Sequence, residues 1–163
     1  MSVNWGMIGA MVLPNIGGWA GAFITKPKIP TWYEHLKKPE WRPPNWAFGP
    51  VWTSLYTSMG YASYLVYQSG GGFEGPARLP LMLFGSQLAL NWAWTPIFFG
   101  AKKLGLAMAE ILLLQGNVIA CAYAFSSVNR TAGLIMLPYI AWMSLACALN
   151  YRIWRDNGDS KTK

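Results

Sequence analysis

Hydrophobic positions in this chain do not alternate with polar ones; they run in long blocks. Five windows with no charge or almost none, at 5–25, 46–68, 79–101, 104–125 and 131–154, are separated by short segments that gather most of the charged residues. A helix of about 20 residues crosses the roughly 30 Å of bilayer hydrocarbon, so each window is long enough to span. Only helices and closed barrels satisfy their backbone polar groups in lipid, and the period-two pattern of barrel strands is missing. The pattern predicts an all-α integral membrane protein, one domain over 1–163, folded as a five transmembrane helix bundle.

The first window has no basic residues ahead of it and is followed by a second window of equal length, so it is expected to stay as the first helix rather than act as a removable signal. The longest connection, 26–45, holds five prolines and the sole histidine, with a short amphipathic helix expected at 32–36, capped by Thr31. A loop of this length is able to lid one end of a bundle. The polar tail after Trp154 is expected to fray.

Composition strengthens the membrane reading, with 53% hydrophobic and 12% charged residues. Charge then suggests an orientation. With five spans, eleven basic residues fall on one side: Lys26, Lys28, Lys37, Lys38 and Arg42, then Lys102 and Lys103, then Arg152, Arg155, Lys161 and Lys163. Only Arg78 and Arg130 fall on the other. The positive-inside rule puts the C-terminus in the cytosol, and the net charge of +7 becomes a matter of topology rather than of nucleic-acid binding.

Small residues recur four apart, as Gly17 with Gly21, Gly18 with Ala22, Gly85 with Ala89 and Ala93, and Gly116 with Ala120 and Ala124. Such rows let helices approach closely in lipid; most are expected to pack inside the monomer, with Gly85, Ala89 and Ala93 the candidate contact of a homodimer. Cys121 and Cys147 lie inside apolar windows and read as small buried hydrophobes. His35 stands without a second histidine or a cysteine at metal-ligand spacing, so no metal and no resident cofactor are expected. Hydrolase and nucleotide motifs are missing, as are paired intramembrane carboxylates, and the windows lack the polar rings of an ion path.

What chemistry remains is aromatic and polar. The stretch WRPPNWAFGPVW at 41–52 opens the second window with three tryptophans, two at its boundary and Trp52 further in. Trp52 and Trp94 could wall a cavity for a flat apolar ligand. Asn91 and Asn150 need partners inside the membrane, most simply across helices. Glu110, the one acid within a window, is either hydrogen-bonded near the interface or a ligand contact. Leu149, Tyr151 and Arg155 fit a short motif proposed for cholesterol contact, although Tyr and Arg at a boundary are ordinary anchors.

Taken together, five segments in order resemble the translocator protein family, also known as the peripheral-type benzodiazepine receptors or tryptophan-rich sensory proteins. They are GGWAGA at 17–22, KKPEWRPPNWAFGPVW at 37–52, LYTSMGYASYLVY at 55–67, QLALNWAWTPIFFGAKK at 87–103 and AWMSLACALNYRIWRDN at 141–157, the last resembling the animal branch. The resemblance implies a five-helix bundle, often dimeric, in the outer mitochondrial membrane, with a cytosol-facing pocket lidded by the first loop. That pocket would bind cholesterol, protoporphyrin and benzodiazepine-site drugs.

By the same resemblance, the pocket would be lined by Ala22 and Thr25 of the first helix and by Phe48, Gly49, Val51 and Trp52 of the second. Asn91 and Trp94 would follow from the third, Leu106, Ala109 and Leu113 from the fourth, and Trp142, Ala146 and Leu149 from the fifth. Trp52 and Trp142 match tryptophans linked in bacterial relatives to light-dependent porphyrin breakdown. Leu106 stands where mammalian members carry a tryptophan, and Phe48 and Gly49 replace a leucine and an alanine. Porphyrin carboxylates would meet Arg42 or Lys38 at the mouth, and a sterol hydroxyl Tyr151 or Arg155. Beside this ligand-binding reading stand two others, a porphyrin-degrading photochemistry at Trp52 and Trp142 and a scaffold for other outer-membrane proteins.

Overall fold

The computed structural model describes residues 2–158 and is helical throughout, with no strand among the described residues. Helix α1 covers Trp5–Thr31, α2 Asn45–Ser69, α3 Arg78–Thr95 and α4 Leu104–Val128. The last rod is α5 (Arg130–Ile135) followed by α6 (Leu137–Asn157), separated only by Met136, which keeps a right-handed helical backbone. These make five helices across the bundle. Three of them, α1, α4 and the α5–α6 rod, are long and apolar enough on their own to cross a membrane.

Boundaries differ from the sequence expectation where hydrogen bonds replace lost ones. The first helix runs six residues past Thr25, through Pro27 and Pro30, so Lys26 and Lys28 ride on it. Thr31 caps nothing downstream; its hydroxyl bonds back to the Pro27 carbonyl at 2.8 Å, and the expected helix at 32–36 shrinks to one 3₁₀ turn, Tyr33–His35. In the third helix Pro96 brings no N–H, and the chain widens into a π turn over Pro96–Gly100, closed by Ala101 N–H on the Pro96 carbonyl at 2.8 Å. The chain stays helical past Trp154, α6 continuing to Asn157, while the rest of the polar tail, 159–163, with Lys161 and Lys163 of the basic count, lies outside the described residues.

Helix α2 packs along α1 and against α5, α3 along α4, and α4 along the last rod, while α1 closes the ring against α3. Glycine sets how near they come. At Gly60 of α2 a Cβ would strike the Ala10 carbonyl and Met11 Cα of α1, so only glycine lets these backbones touch. Gly17 and Gly18 likewise give room to the Trp92 and Tyr56 rings, and Gly133 to Ser126. The rows starting at Gly17 and Gly18 thus serve packing within the chain, whereas Gly116, expected to do the same, meets nothing within 4 Å and is exposed with Ala120. Gly85 meets nothing within 4 Å, and Ala89 and Ala93 are exposed beside it.

Two apolar clusters result. The larger joins α2, α3, α4 and the last rod around Met59, Val66, Val118, Phe125 and Tyr139; Cys121 lies within it and Cys147 packs on its edge, both free thiols. The smaller gathers Trp32, Tyr33 and Leu36 of the first loop over Phe98, Phe99, Leu104, Leu149 and Ile153. The loop is thus a packed lid.

Candidate functional site: a lidded aromatic cavity

Where α1 and α2 part, below their contact at Gly60, the bundle holds a cavity of about 350 Å³ beneath the lid. Gly49 marks the separation, since a Cβ there would meet nothing within 4 Å. All five helices contribute to its wall. Ten of the expected pocket residues line it: Ala22, Thr25, Phe48, Gly49 and Trp52 from the first two helices, and Asn91, Trp94, Trp142, Ala146 and Leu149 from the others.

Four do not. Val51 lies about 100° around α2 from Trp52 and packs against the larger cluster instead. Leu106, Ala109 and Leu113 are exposed on the outer face of α4, because Leu104, Ala107, Ile111, Leu114 and Val118 form its inward stripe at helical spacing. Ile111 and Leu114 therefore supply the α4 wall. Leu106 lies on the outer surface rather than in the cavity.

The walls form an aromatic array. Trp142 meets Phe48 edge-on at 5.6 Å and Trp52 at 6.5 Å, and Trp52 leans on Tyr56 at 5.2 Å. On the other side Trp94 stacks on Phe98 at 4.6 Å. Rings held edge-to-face or offset gain beyond their burial.

Polar groups are few and mostly paired. Tyr56 donates its hydroxyl hydrogen to Asn91 Oδ1 at 2.6 Å, Asn91 Nδ2 donates to Tyr139 Oη at 2.7 Å, and Tyr139 donates to Gln87 Oε1 at 2.9 Å. This chain links three helices and closes the inner end of the cavity at Tyr56 and Asn91. Trp94 Nε1 donates to Asn150 Oδ1 at 2.9 Å, and Asn150 Nδ2 to the Leu104 carbonyl at 3.3 Å. Both asparagines thus bond across helices and also face the cavity. Trp142 Nε1 differs, being buried without a partner among the described residues.

At the mouth the charges are arranged differently from the expectation. Lys38 turns inward and donates to the Tyr33 and Leu36 carbonyls at 2.6 and 3.0 Å, which takes it away from a ligand carboxylate. Burial, helped by the Arg42 charge, pulls its ammonium below the usual lysine range, and burial raises the Tyr33 phenol. Arg42 donates to Asn45 Oδ1 and Asn45 Nδ2 to Glu34 Oε1, tying lid to α2. Lys26, not singled out from sequence as a site residue, lines the mouth. Asn157 holds the other edge of the lid, accepting from Lys37 N–H and donating to its carbonyl, each at 2.9 Å. The exposed His35 carries no side-chain bond of this latch.

Glu110 neither lines the cavity nor finds the expected partner; both carboxyl oxygens are buried without a hydrogen bond among the described residues. Leu149, Tyr151 and Arg155 do not share a face. Leu149 points into the cavity, whereas Tyr151, about 200° around α6, is exposed against Trp154, and Arg155 pairs with Asp156 at 3.5 Å. Tyr151 and Arg155 are outside the cavity, where neither can meet a hydroxyl bound within it.

Other lining residues escaped sequence reading. Asn15, Trp19, Tyr33, Thr95 and Ile153 share the wall, and Asn15 is held by Thr57 Oγ1 at 3.1 Å. A polar residue amid an apolar helix was the signal available for Asn15.

A model of the TspO/MBR family matches residues 10–155. The translocator protein of Bos taurus is 45% identical over 150 residues, covering 92% of this chain and 89% of the relative. Translocator protein 2 of Canis lupus familiaris is 40% identical over 148 residues, covering 90% and 86%. Protein CrtK of Rhodobacter capsulatus is 42% identical over 131 residues, covering 80% and 81%. Five apolar helices, a tryptophan-walled cavity and these matches along nearly the whole chain agree: it is a membrane protein that belongs to the TspO/MBR family.

Proposed function

We propose that this protein binds flat lipophilic ligands, cholesterol, porphyrins and benzodiazepine-site drugs, within the lidded cavity, and so takes part in handling sterols and tetrapyrroles at the outer mitochondrial membrane. The observation that carries this reading is the cavity itself: about 350 Å³ walled by Phe48, Trp52, Trp94 and Trp142. Small-molecule sites are typically concavities of roughly 300–1,000 Å³, mainly apolar and with a few convergent polar groups. A sterol or tetrapyrrole buries mostly carbon, for which these walls supply apolar contact at about 25 cal/mol per Å². No resident cofactor is needed. The skew of basic residues supports a cytosolic C-terminus and mouth, and the exposed Gly85, Ala89 and Ala93 support a homodimer through α3.

Quenching of tryptophan fluorescence in the purified protein by protoporphyrin, and by a fluorescent sterol analogue, tests the reading. Saturable quenching that Ala146→Phe abolishes is expected, since Ala146 lines the cavity and a phenyl group there fills it. Unsaturable quenching, indifferent to that change, overturns it.

One observation favours a second reading. Trp52 and Trp142 are neighbours in the same cavity wall, ring centroids 6.5 Å apart, which would put both within reach of a porphyrin bound there as electron donors to its photoexcited state. Light-dependent bleaching lost in the Trp52→Phe, Trp142→Phe double variant while porphyrin binding persists would support it; bleaching at the wild-type rate would exclude it. Retention of the cellular role by a cavity-filled variant would favour the scaffold reading.

A further inference from the structure

A second concavity of about 340 Å³ lies on the outside of the bundle, at the end opposite the lid, between α4 and the α5–α6 rod. Its floor is small, with Ala122 on α4 and Gly133 on α5, where the close approach to Ser126 admits no side chain. Its walls are apolar and exposed: Ile119 on one side, Leu134 and Leu137 on the other. Three polar residues join this lining, of which Ser126 spends its hydroxyl on the Tyr123 carbonyl at 2.7 Å. Arg130, the first residue of α5, is exposed and makes no ion pair or hydrogen bond among the described residues. Tyr123, 80% exposed on α4, has a hydroxyl that is likewise unpartnered there.

We infer that this groove is a binding site for an anionic phospholipid, with one acyl chain between α4 and the α5–α6 rod and the headgroup phosphate on Arg130. The placement of charge carries the argument. Arg130 stands at the boundary end, beside the polar residues Ser126, Ser127 and Asn129, and the apolar walls descend from it for about 15 Å along the helices. A guanidinium presents a planar fork that matches two phosphate oxygens, and with no acid to neutralise it the site lacks one negative charge. The Tyr123 hydroxyl, between Arg130 and the deeper walls, suits a second phosphate or ester oxygen. A sterol brings only a hydroxyl and leaves the cation unpaired. A peptide laid in the groove would bring unsatisfied backbone groups into lipid. A zwitterionic lipid offers a phosphate already paired with its own ammonium.

The site is independent of the cavity, so its failure and that of the ligand-binding reading are separable. The experiment is lipid retention by the full chain, purified and placed in nanodiscs of phosphatidylcholine with graded phosphatidylglycerol, read by native mass spectrometry and by thermal unfolding. Retention of phosphatidylglycerol over phosphatidylcholine by at least tenfold is expected, with a rise in Tm. Arg130→Gln should remove most of this preference, whereas Arg78→Gln, which discharges the same side without touching the groove, should leave it. Ala122→Leu fills the groove and should displace the lipid with Arg130 intact. Far-UV circular dichroism and a monodisperse elution profile serve as the check that each variant is folded, and inorganic phosphate should compete with nothing. Equal retention of the two lipids, equal losses from Arg78→Gln and Arg130→Gln, or preferential retention of an anionic sterol would each overturn the proposal.

Discussion

The two ends of this bundle use the same helices to opposite effect. Toward one end α1 and α2 touch backbone to backbone at Ala10 and Gly60, and the space between the helices is filled by the larger cluster. Toward the other the same two helices separate past Gly49, and a cavity remains under the lid. Small residues do both jobs: at Gly60 the missing side chain lets backbones meet, and at Gly49 it leaves room that nothing fills. Whether a small residue closes or opens a membrane bundle therefore depends on what stands across from it, which spacing along one helix does not reveal.

The largest effect should come from forcing the closed end apart. Gly60→Val places a branched side chain against the Ala10 carbonyl, which is backbone and cannot yield. Overpacking of this kind costs about 1–3 kcal/mol or more, so a marked fall in Tm in detergent and in the yield of folded protein is expected. Gly49→Ala is the counterpart at the open end, and its Tm should stay within experimental error. Equal effects at the two glycines would erase the distinction between the ends.

Next in size is the polar chain that divides the two regions. Asn91→Leu strips Tyr56 of its acceptor and Tyr139 of a donor, leaving buried hydroxyls short of partners. The cost should be about 1–3 kcal/mol, again read as Tm. Tyr139→Phe removes a donor and an acceptor at the chain's middle and should cost comparably, whereas Tyr151→Phe on the exposed face of α6 should cost nothing measurable.

Smaller, and confined to the open end, is the lid. Asn157→Ala removes both bonds to the Lys37 backbone, and the apolar packing of Trp32, Tyr33 and Leu36 should keep the fold. Hydrogen exchange at 32–38 should quicken by roughly tenfold, the equivalent of about 1.4 kcal/mol, with ligand dissociation accelerated and Tm little changed. Unchanged exchange would mean that apolar contact alone holds the lid.

Helix number and membrane insertion were legible because blocks of apolar residues are local signals, and Trp52 and Trp94 because tryptophans inside such blocks stand out; the other cavity residues were expected only from the family resemblance. The facing of α4 was not. The outward Leu106, Ala109 and Leu113 are as apolar as the inward Ala107, Ile111 and Leu114. In lipid an outward leucine is as comfortable as an inward one, so hydrophobicity carries no inside and outside. The lid was visible as a proline-rich loop, but its latch was not, because Asn157 and Lys37 lie 120 positions apart and only the folded chain brings them together. The break at Met136 and the π turn after Thr95 were hidden for a different reason, since each is a local adjustment of the backbone inside an otherwise uniform apolar block.

The most direct test of the central claim sets one residue inside the cavity against one outside it. Protoporphyrin titrations, followed by tryptophan quenching, would compare the wild type with Ala146→Phe, which fills the cavity, and Leu113→Phe, which adds similar bulk to the outer face of α4. Saturable binding is expected to be lost in Ala146→Phe and kept at wild-type affinity in Leu113→Phe, with both variants folded by Tm. Binding that survives Ala146→Phe but fails in Leu113→Phe would contradict the cavity as the ligand site and place the ligand on the other side of α4.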